Sequence, residues 1–272
     1  MTSDMNIIHG KPARPVLAAL LALALACSCT VKEDRSECPC YLEVGFLGRE
    51  DITDPVGIVG WEQKELFSPT FNTADYPDTY TQAVRKAVIG FGAYEGLTGG
   101  RKSGRFITTP VGRECDPLWS YNETIDCTGD RAFVNVAFHK QYATVYLNIG
   151  RTSAEMSHYS FLVEGNYNAL DILSYDPVPG EYSFRPTTIN TNVVQFRVPR
   201  QGDDGLTLTV IYDDQETSTF PLGAYIAALG YDWTEEDLRD IFITMDIVNG
   251  RITVGVEAWI DSPDPDIRHI VF

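Results

Sequence analysis

The chain has 272 residues, of which 44% are hydrophobic and 11% aromatic, and it carries a formal net charge of −17. That length and apolar content suffice for one large or two ordinary packed domains and exclude a wholly disordered chain. The acidic surface repels phosphate backbones, so no nucleic-acid partner is expected.

The first informative segment is the N-terminus. Lys11 and Arg14 precede an apolar run from Val16 to Ala26, which ends in small residues and cysteines. A basic flank, a short apolar stretch and a small-residue exit form a secretory signal, here residues 1–28. The run is short for a membrane-spanning helix, which needs roughly 20 residues. It leads into Ala26-Cys27-Ser28-Cys29-Thr30-Val31-Lys32-Glu33-Asp34. A cysteine directly after small residues at such a junction is where bacterial lipoproteins are cleaved and acylated, and both Cys29 and Cys27 fit. The acidic Lys32-Glu33-Asp34 stretch resembles the short signal that exports lipoproteins of Bacteroidota to the cell surface. Residues 29–37 then form a lipidated tether.

Beyond the tether lie Cys38, Cys40, Cys115 and Cys127. In an oxidising compartment these are disulfide candidates with three possible connectivities. Cys115 with Cys127, and crossed pairings of either with Cys38 or Cys40, all remain open. Cys38-Pro39-Cys40 has the wrong spacing for a zinc knuckle and no histidine nearby, so no metal is expected.

Period-2 alternation then recurs along the chain. It marks strands at Tyr41–Leu47, Ala132–Phe138, Ala143–Ile149, Val194–Val198, Leu206–Val210 and Ile252–Ile260. Residues 48–82, rich in Pro, Asp and Thr, read as a long excursion over a first sandwich. Gly90-Phe91-Gly92-Ala93-Tyr94-Glu95-Gly96 misses the dinucleotide fingerprint and reads as a strand with close backbone packing. Val248-Asn249-Gly250-Arg251 predicts a tight hairpin joining Ile241–Val248 to Arg251–Ile260. Two short helices are expected: Pro221–Leu229 stopped by Gly230, and Thr234–Leu238 with Thr234 as cap and Trp233 stapled to Leu238. The carboxylates of the second serve its positive end, which accounts for them without a calcium or catalytic site. Many short strands separated by turns predict an all-β chain of antiparallel sandwiches. His139-Lys140-Gln141 marks the join between an N-terminal sandwich, 38–138, and a C-terminal one, 139–272, with no internal sequence repeat.

Enzyme signatures are missing: there is no Gly-x-Ser-x-Gly, His-Glu-x-x-His or phosphate loop. His139, His158 and His269 are far apart, and nothing marks them as a site. The chain is therefore read as non-catalytic and without a cofactor. Tyr76, Tyr80, Trp119, Tyr121 and Tyr175 fall in loop-like stretches, where rings either recognise a partner or pack under the loop; packing is the favoured reading.

The segment Cys29-Thr30-Val31-Lys32-Glu33-Asp34-Arg35-Ser36-Glu37-Cys38-Pro39-Cys40, followed by the strand Tyr41–Leu47, resembles the opening of the FimB/Mfa-type fimbrial anchor proteins of Bacteroidales. Pro221-Leu222-Gly223, Gly230-Tyr231-Asp232-Trp233, the acidic stretch after it and Trp259 are similar to that family's C-terminal half. The resemblance spans nearly the whole chain after residue 28 and is vague over 48–130. It implies two transthyretin-like β-sandwich domains in a surface lipoprotein of the outer membrane, with lipid on Cys29 and palmitate among the acyl chains. Fimbrial subunits (fimbrillins) are the implied partners, in cell adhesion. In such systems stalk subunits lose their first strand and receive a neighbour's, whereas an anchor keeps its own. A subunit would dock at an exposed edge or at the C-terminus, where Ile267, Ile270 and Phe272 follow a Pro-rich break; the opposite reading is that this tail completes its own sheet. A stand-alone surface module binding glycan or protein is the alternative function.

Overall fold

The structure is a computed structural model. It describes residues 37–53, 55–149, 159–187, 193–212, 216–246, 251–254 and 270–271. The signal segment, Cys27, Cys29, His158, Trp259, Ile267, His269 and Phe272 lie outside them. Residues from Pro39 onward form one compact unit.

The chain is all-β. In order, its strands are β1 (Cys40–Phe46), β2 (Val56–Trp61), β3 (Glu65–Phe67), β4 (Thr70–Phe71), β5 (Tyr80–Val84), β6 (Val88–Glu95), β7 (Arg101–Ser103), β8 (Phe106–Thr108), β9 (Trp119–Asp126) and β10 (Arg131–Val136). Then come β11 (His139–Lys140), β12 (Tyr142–Ile149), β13 (Tyr159–Asp171), β14 (Pro177–Phe184), β15 (Val193–Pro199), β16 (Thr207–Tyr212) and β17 (Thr217–Phe220). Helix α1 (Leu222–Ala228) precedes β18 (Ile241–Asp246), β19 (Arg251–Val254) and β20 (Ile270–Val271).

A 3-stranded sheet of order β10-β1-β5 faces a sheet of order β11-β9-β6-β2-β3 across a core that includes Leu42, Val44, Ile58, Phe91 and Val134. A second pair of sheets, β15-β12-β18-β19-β20 and β17-β16-β13-β8-β7 with β14 beside β13, encloses Val145, Phe161, Tyr182, Phe196 and Leu208. A third cluster, Val59, Tyr94, Ile107, Leu118, Leu170 and Ile172, lies between them. The chain passes between the two sandwiches more than once: β8 pairs with β13 of the second, while β11 pairs with β9 of the first.

The alternating segments are strands with the buried faces their patterns require, apart from Ile252–Ile260, whose burial and whose residues 255–260 lie outside what the structure describes. In β10, for instance, Ala132, Val134 and Val136 are buried and Arg131, Phe133 and Asn135 are exposed. Three expectations need correction. Residues 48–82 are no excursion, because they contain β2, a strand buried between β6 and β3. Its Val-Gly-Ile-Val-Gly run lacks alternation because both faces are covered. A Cβ on Gly57 would stand 2.1 Å from the Tyr94 ring, and one on Gly60 2.1 Å from the Phe67 ring. These glycines are where side chains from neighbouring strands fold over the backbone.

The second correction concerns Thr234–Leu238, which forms turns and no helix. Its polar groups are engaged elsewhere. Thr234 bonds Asp232 through its amide at 2.8 Å and its hydroxyl at 2.7 Å, and the Leu238 amide donates to the Lys140 carbonyl at 3.0 Å. The Asp237 carboxylate accepts from the Lys140 amide at 2.7 Å. The third is a register: in the β18–β19 hairpin, Asp246 stands opposite Arg251, not Val248. The Val248-Asn249-Gly250 turn expected between the two strands lies outside the described residues. Helix α1 is as expected, with Gly230 at φ +75° behind it.

Candidate assembly site

Strand β1 is hydrogen-bonded along both edges. Tyr41 to Phe46 pair parallel with Arg131 to Val136, and Cys40 to Val44 pair antiparallel with Val84 to Tyr80. Its inward Leu42 and Val44 are fully buried. Together these make the interval between β10 and β5 a strand-shaped slot, with a backbone ladder on each side and apolar pockets at alternate positions. The outward face carries Tyr41, 49% exposed, and Phe133, 64% exposed, with a 3.2 Å ion pair between Arg131 and Glu43 beside them. Neither ring was singled out from the sequence. Their exposed phase in an otherwise regular alternation was the available signal.

The four described cysteines carry free thiols, and they are not equivalent. Cys38 is exposed, whereas Cys40 and Cys127 are fully buried in the first core. Burial pushes the Cys127 thiol up to about 12, with the adjacent Cys40 thiol, to which it is hydrogen-bonded, adding to the effect. Cys115 lies apart. Its thiol is also pushed up to about 12 by burial, and it is within hydrogen-bonding reach of Thr109 and the Asp116 carbonyl. After burial, the groups that act on it are Thr109, Asp116, Arg197 and Glu114. The structure therefore brings Cys40 and Cys127 together and keeps Cys115 in other company.

At the C-terminus, β20 pairs antiparallel with β19, Ile270 opposite Val254 and Val271 opposite Thr253. Among the described residues it is the last strand of its sheet. Of the three tail residues named from the sequence, Ile270 is the one within the described residues.

The sandwiches are bound to one another by a polar network. His139 Nδ1 lies 2.9 Å from Asp237, Lys140 bonds Asp240, and the Thr144 amide donates to Asp240 at 3.1 Å. Arg200, 3% exposed, donates to Gln141 Oε1 at 2.8 Å and to the Trp233 carbonyl. The Tyr175 hydroxyl donates to the Ser120 carbonyl of β9 at 3.1 Å, from a backbone at φ 62°. Asp116 accepts from the amides of Thr98, Gly99 and Gly100 at 3.0, 2.9 and 2.6 Å and from the Thr98 hydroxyl at 2.7 Å. Burial acts to raise the Asp116 pKa, but the donated bonds outweigh it and hold the carboxyl below its ordinary value. His139 thus belongs to a hydrogen-bonded cluster with Asp237 where β11 meets the second sandwich. The aromatics expected in loops are partly on strands, Tyr80 in β5 and Trp119 and Tyr121 in β9, and they are packed: Tyr80 stacks on Phe71 at 4.2 Å, Tyr76 meets both edge-on, and Tyr121 lies 6.5 Å from Phe91.

Beside this junction is a groove of about 510 Å³, lined among others by Tyr175, Tyr231, Trp233, Asp176, Asp203 and Asp232. Trp233 meets Tyr231 edge-on at 4.7 Å. Aromatic faces beside carboxylate acceptors suit a polyhydroxylated ligand. Among the described residues no group of three His, Cys, Asp or Glu side chains is placed to hold a metal, and no helix is long and apolar enough to cross a membrane.

No family model and no curated protein sequence matches this chain. Solved structures do. A candidate adhesin from Bacteroides ovatus superposes with a TM-score of 0.58 at 11% identity, covering 86% of this chain and 96% of its own. A candidate polysaccharide-binding protein from Bacteroides thetaiotaomicron gives 0.57 at 15% identity, covering 82% and 99%. The fimbrial anchor protein Mfa2 from Porphyromonas gingivalis gives 0.53 at 10% identity, covering 86% and 95%. The fold is thus shared with these adhesin, polysaccharide-binding and fimbrial anchor structures, in line with the resemblance in sequence.

Proposed function

We propose that this chain is a surface lipoprotein of the outer membrane, held by lipid on Cys29, that serves as the anchor or an accessory subunit of a fimbria in cell adhesion and is non-catalytic. The observation that carries the reading is β1. A strand paired on both edges, directly behind a tether, occupies the slot that a polymerising subunit needs empty. With that slot filled, the chain accepts no donor strand and remains fixed at its N-terminal end. The likeness of fold to a fimbrial anchor protein accords with this. The partner is a fimbrillin, and it docks at the C-terminal edge, where β20 is the last strand of its sheet among the described residues.

The test is a protein cut after Asp266, compared with the full chain for binding of co-expressed fimbrillin. Loss of binding with the fold intact supports docking at the tail. Undiminished binding rejects it. Intact mass of the protein from native membranes decides the anchor: an acylated Cys29 supports it, and an N-terminus generated by cleavage inside or beyond β1 identifies a stalk or tip subunit instead.

A second reading, a stand-alone module for glycan or protein, draws on the acidic and aromatic groove at Tyr175, Tyr231 and Trp233. Trp233→Ala tests it, because loss of adhesion to glycan with fimbrillin binding retained would favour the module.

A further inference from the structure

Cys40 begins β1, and Cys127 directly follows β9. Three backbone contacts fix their meeting. Cys40 stands opposite Val84 of β5, the Cys127 amide donates to the Ala87 carbonyl just past that strand at 2.9 Å, and the Tyr41 amide donates to the Asp130 carbonyl at 3.0 Å. Because β1 runs parallel to β10, both strands start at the same end of the sheet, and the β9–β10 connection crosses that end. The two thiols therefore lie against each other in a core where both residues are 0% exposed. The topology makes this neighbourhood, since the residues are far apart in sequence.

We propose that Cys40 and Cys127 form a disulfide in the exported protein, a covalent clasp that fixes the N-terminal strand to the β9–β10 connection. The oxidant is a protein disulfide of the oxidising compartment. The thiolate of one cysteine attacks it and expels one oxidant sulfur as a thiolate. The second cysteine, deprotonated, then attacks the mixed disulfide and releases the other oxidant sulfur. Two S–H bonds of the chain are lost and one S–S bond forms. The two protons leave to solvent or the departing thiolates, and two electrons reduce the oxidant to its dithiol. Exchange needs thiolate, and burial disfavours it, so the bond forms before β1 is seated.

The clasp has two consequences. First, β1 is no longer exchangeable: a donor strand entering the slot between β10 and β5 cannot expel a strand whose first residue is bonded to the sheet's own connection. Second, and resting on the lipid-anchor reading above, tension along the tether enters the fold at Cys40 and passes directly into the β9–β10 connection, sparing the β1 ladder. Cys115, placed among Thr109, Asp116 and Arg197, and exposed Cys38 stay outside the bond.

The test is peptide mapping of protein purified from its native membrane, unfolded without reductant in N-ethylmaleimide. A Cys38→Ser variant is mapped in parallel, because Cys38 and Cys40 share a peptide. The expected result is a crosslinked Cys40–Cys127 pair, lighter by two hydrogens than its separate peptides, with Cys115 alkylated, and the same pair in Cys38→Ser. Alkylation of both Cys40 and Cys127, or a pair that disappears in Cys38→Ser, overturns the proposal. As a second measurement, reductant should lower the melting temperature of the wild type by about 10 °C, the size expected for opening a loop of roughly 90 residues. It should leave a Cys40→Ser/Cys127→Ser protein unmoved. An equal response in both proteins, or none in the wild type, counts against the clasp. If intact mass shows no lipid on Cys29, the anchor reading fails while the crosslink result stands by itself.

Discussion

The two sandwiches share a plan that their sequences do not. In the first, β1 lies between an antiparallel neighbour, β5, and a parallel one, β10. In the second, β12 lies between antiparallel β15 and parallel β18. Each half therefore begins with a strand inserted beside a later strand that runs the same way. They differ at the outer side of that later strand. Beyond β18 the chain continues into β19 and β20, whereas among the described residues β10 ends its sheet. The same frame is extended in one half by the C-terminal segment and stops in the other at a strand carrying exposed Phe133. A β topology is set by which positions face inward and which strands adjoin. Two segments can satisfy those conditions with unrelated residues, so the repeat is structural and leaves no mark in sequence.

The comparison breaks most sharply in the cores. Phe91 is fully buried in the first and Phe196 is 1% exposed in the second. Truncating either to Ala is expected to cost about 3–5 kcal/mol from lost transfer energy and the residual cavity. Calorimetry of the two variants asks whether the halves melt together. The junction network and the shared cluster around Val59 and Leu170 predict one transition that both substitutions lower. Two transitions, each moved by a single variant, would show independent halves.

A smaller effect, confined to the first half, is expected at Gly57. Alanine there drives a Cβ into the Tyr94 ring, and neighbouring strands leave that ring little room, so a loss of about 1–3 kcal/mol in denaturant unfolding is expected. Alanine at Gly112, which meets no atom within 4 Å but sits at φ +84°, isolates backbone strain from overpacking. Equal losses at the two sites would deny that crowding is the cause at Gly57.

How much of this was legible follows from the same physics. Strands with one wet face, β1, β10, β12, β15 and β16, show themselves by alternation. β2 does not, because both its faces are covered and its glycines answer to Tyr94 and Phe67, residues outside the strand. The stretch Thr234–Leu238 carries the local signs of a helix, yet its polar groups are taken by Lys140 and His139, nearly a hundred positions away (|i−j| of 97 for the Asp237–Lys140 bond). The cysteine pair is of the same kind: residue types and compartment single out four candidates, and only the parallel β1–β10 pairing selects two. The tether is the reverse case, legible from local composition alone.

The junction offers a pH-dependent prediction. The carboxyl of Asp116 titrates below its ordinary value in the folded chain, so its contribution is fully present above the ordinary carboxylate range and is lost as pH falls through the lowered pKa. Asp116→Ala leaves the amides of Thr98, Gly99 and Gly100 without their acceptor, at a cost of about 2 kcal/mol at neutral pH. The gap in melting temperature between wild type and variant should narrow progressively below about pH 4, near where unfolded carboxylates titrate. A gap constant from pH 7 to pH 3 would mean that Asp116 acts by shape and not by charge.

The smallest expected effect tests the difference at β10. Phe133 is 64% exposed, so Phe133→Ser should change stability by less than about 0.5 kcal/mol, while Phe196→Ala at the buried second core unfolds far more easily. Its neighbour Tyr41, 49% exposed on the adjacent strand, should behave alike. A stability change near that of a core residue would mean that these rings are covered in the isolated protein, as in a dimer joined through the β10 edge. Sedimentation at increasing concentration separates the two outcomes: a monomer at every concentration, unchanged by Phe133→Ser, leaves β10 as the end of its sheet among the described residues, the feature that distinguishes the first sandwich from the second.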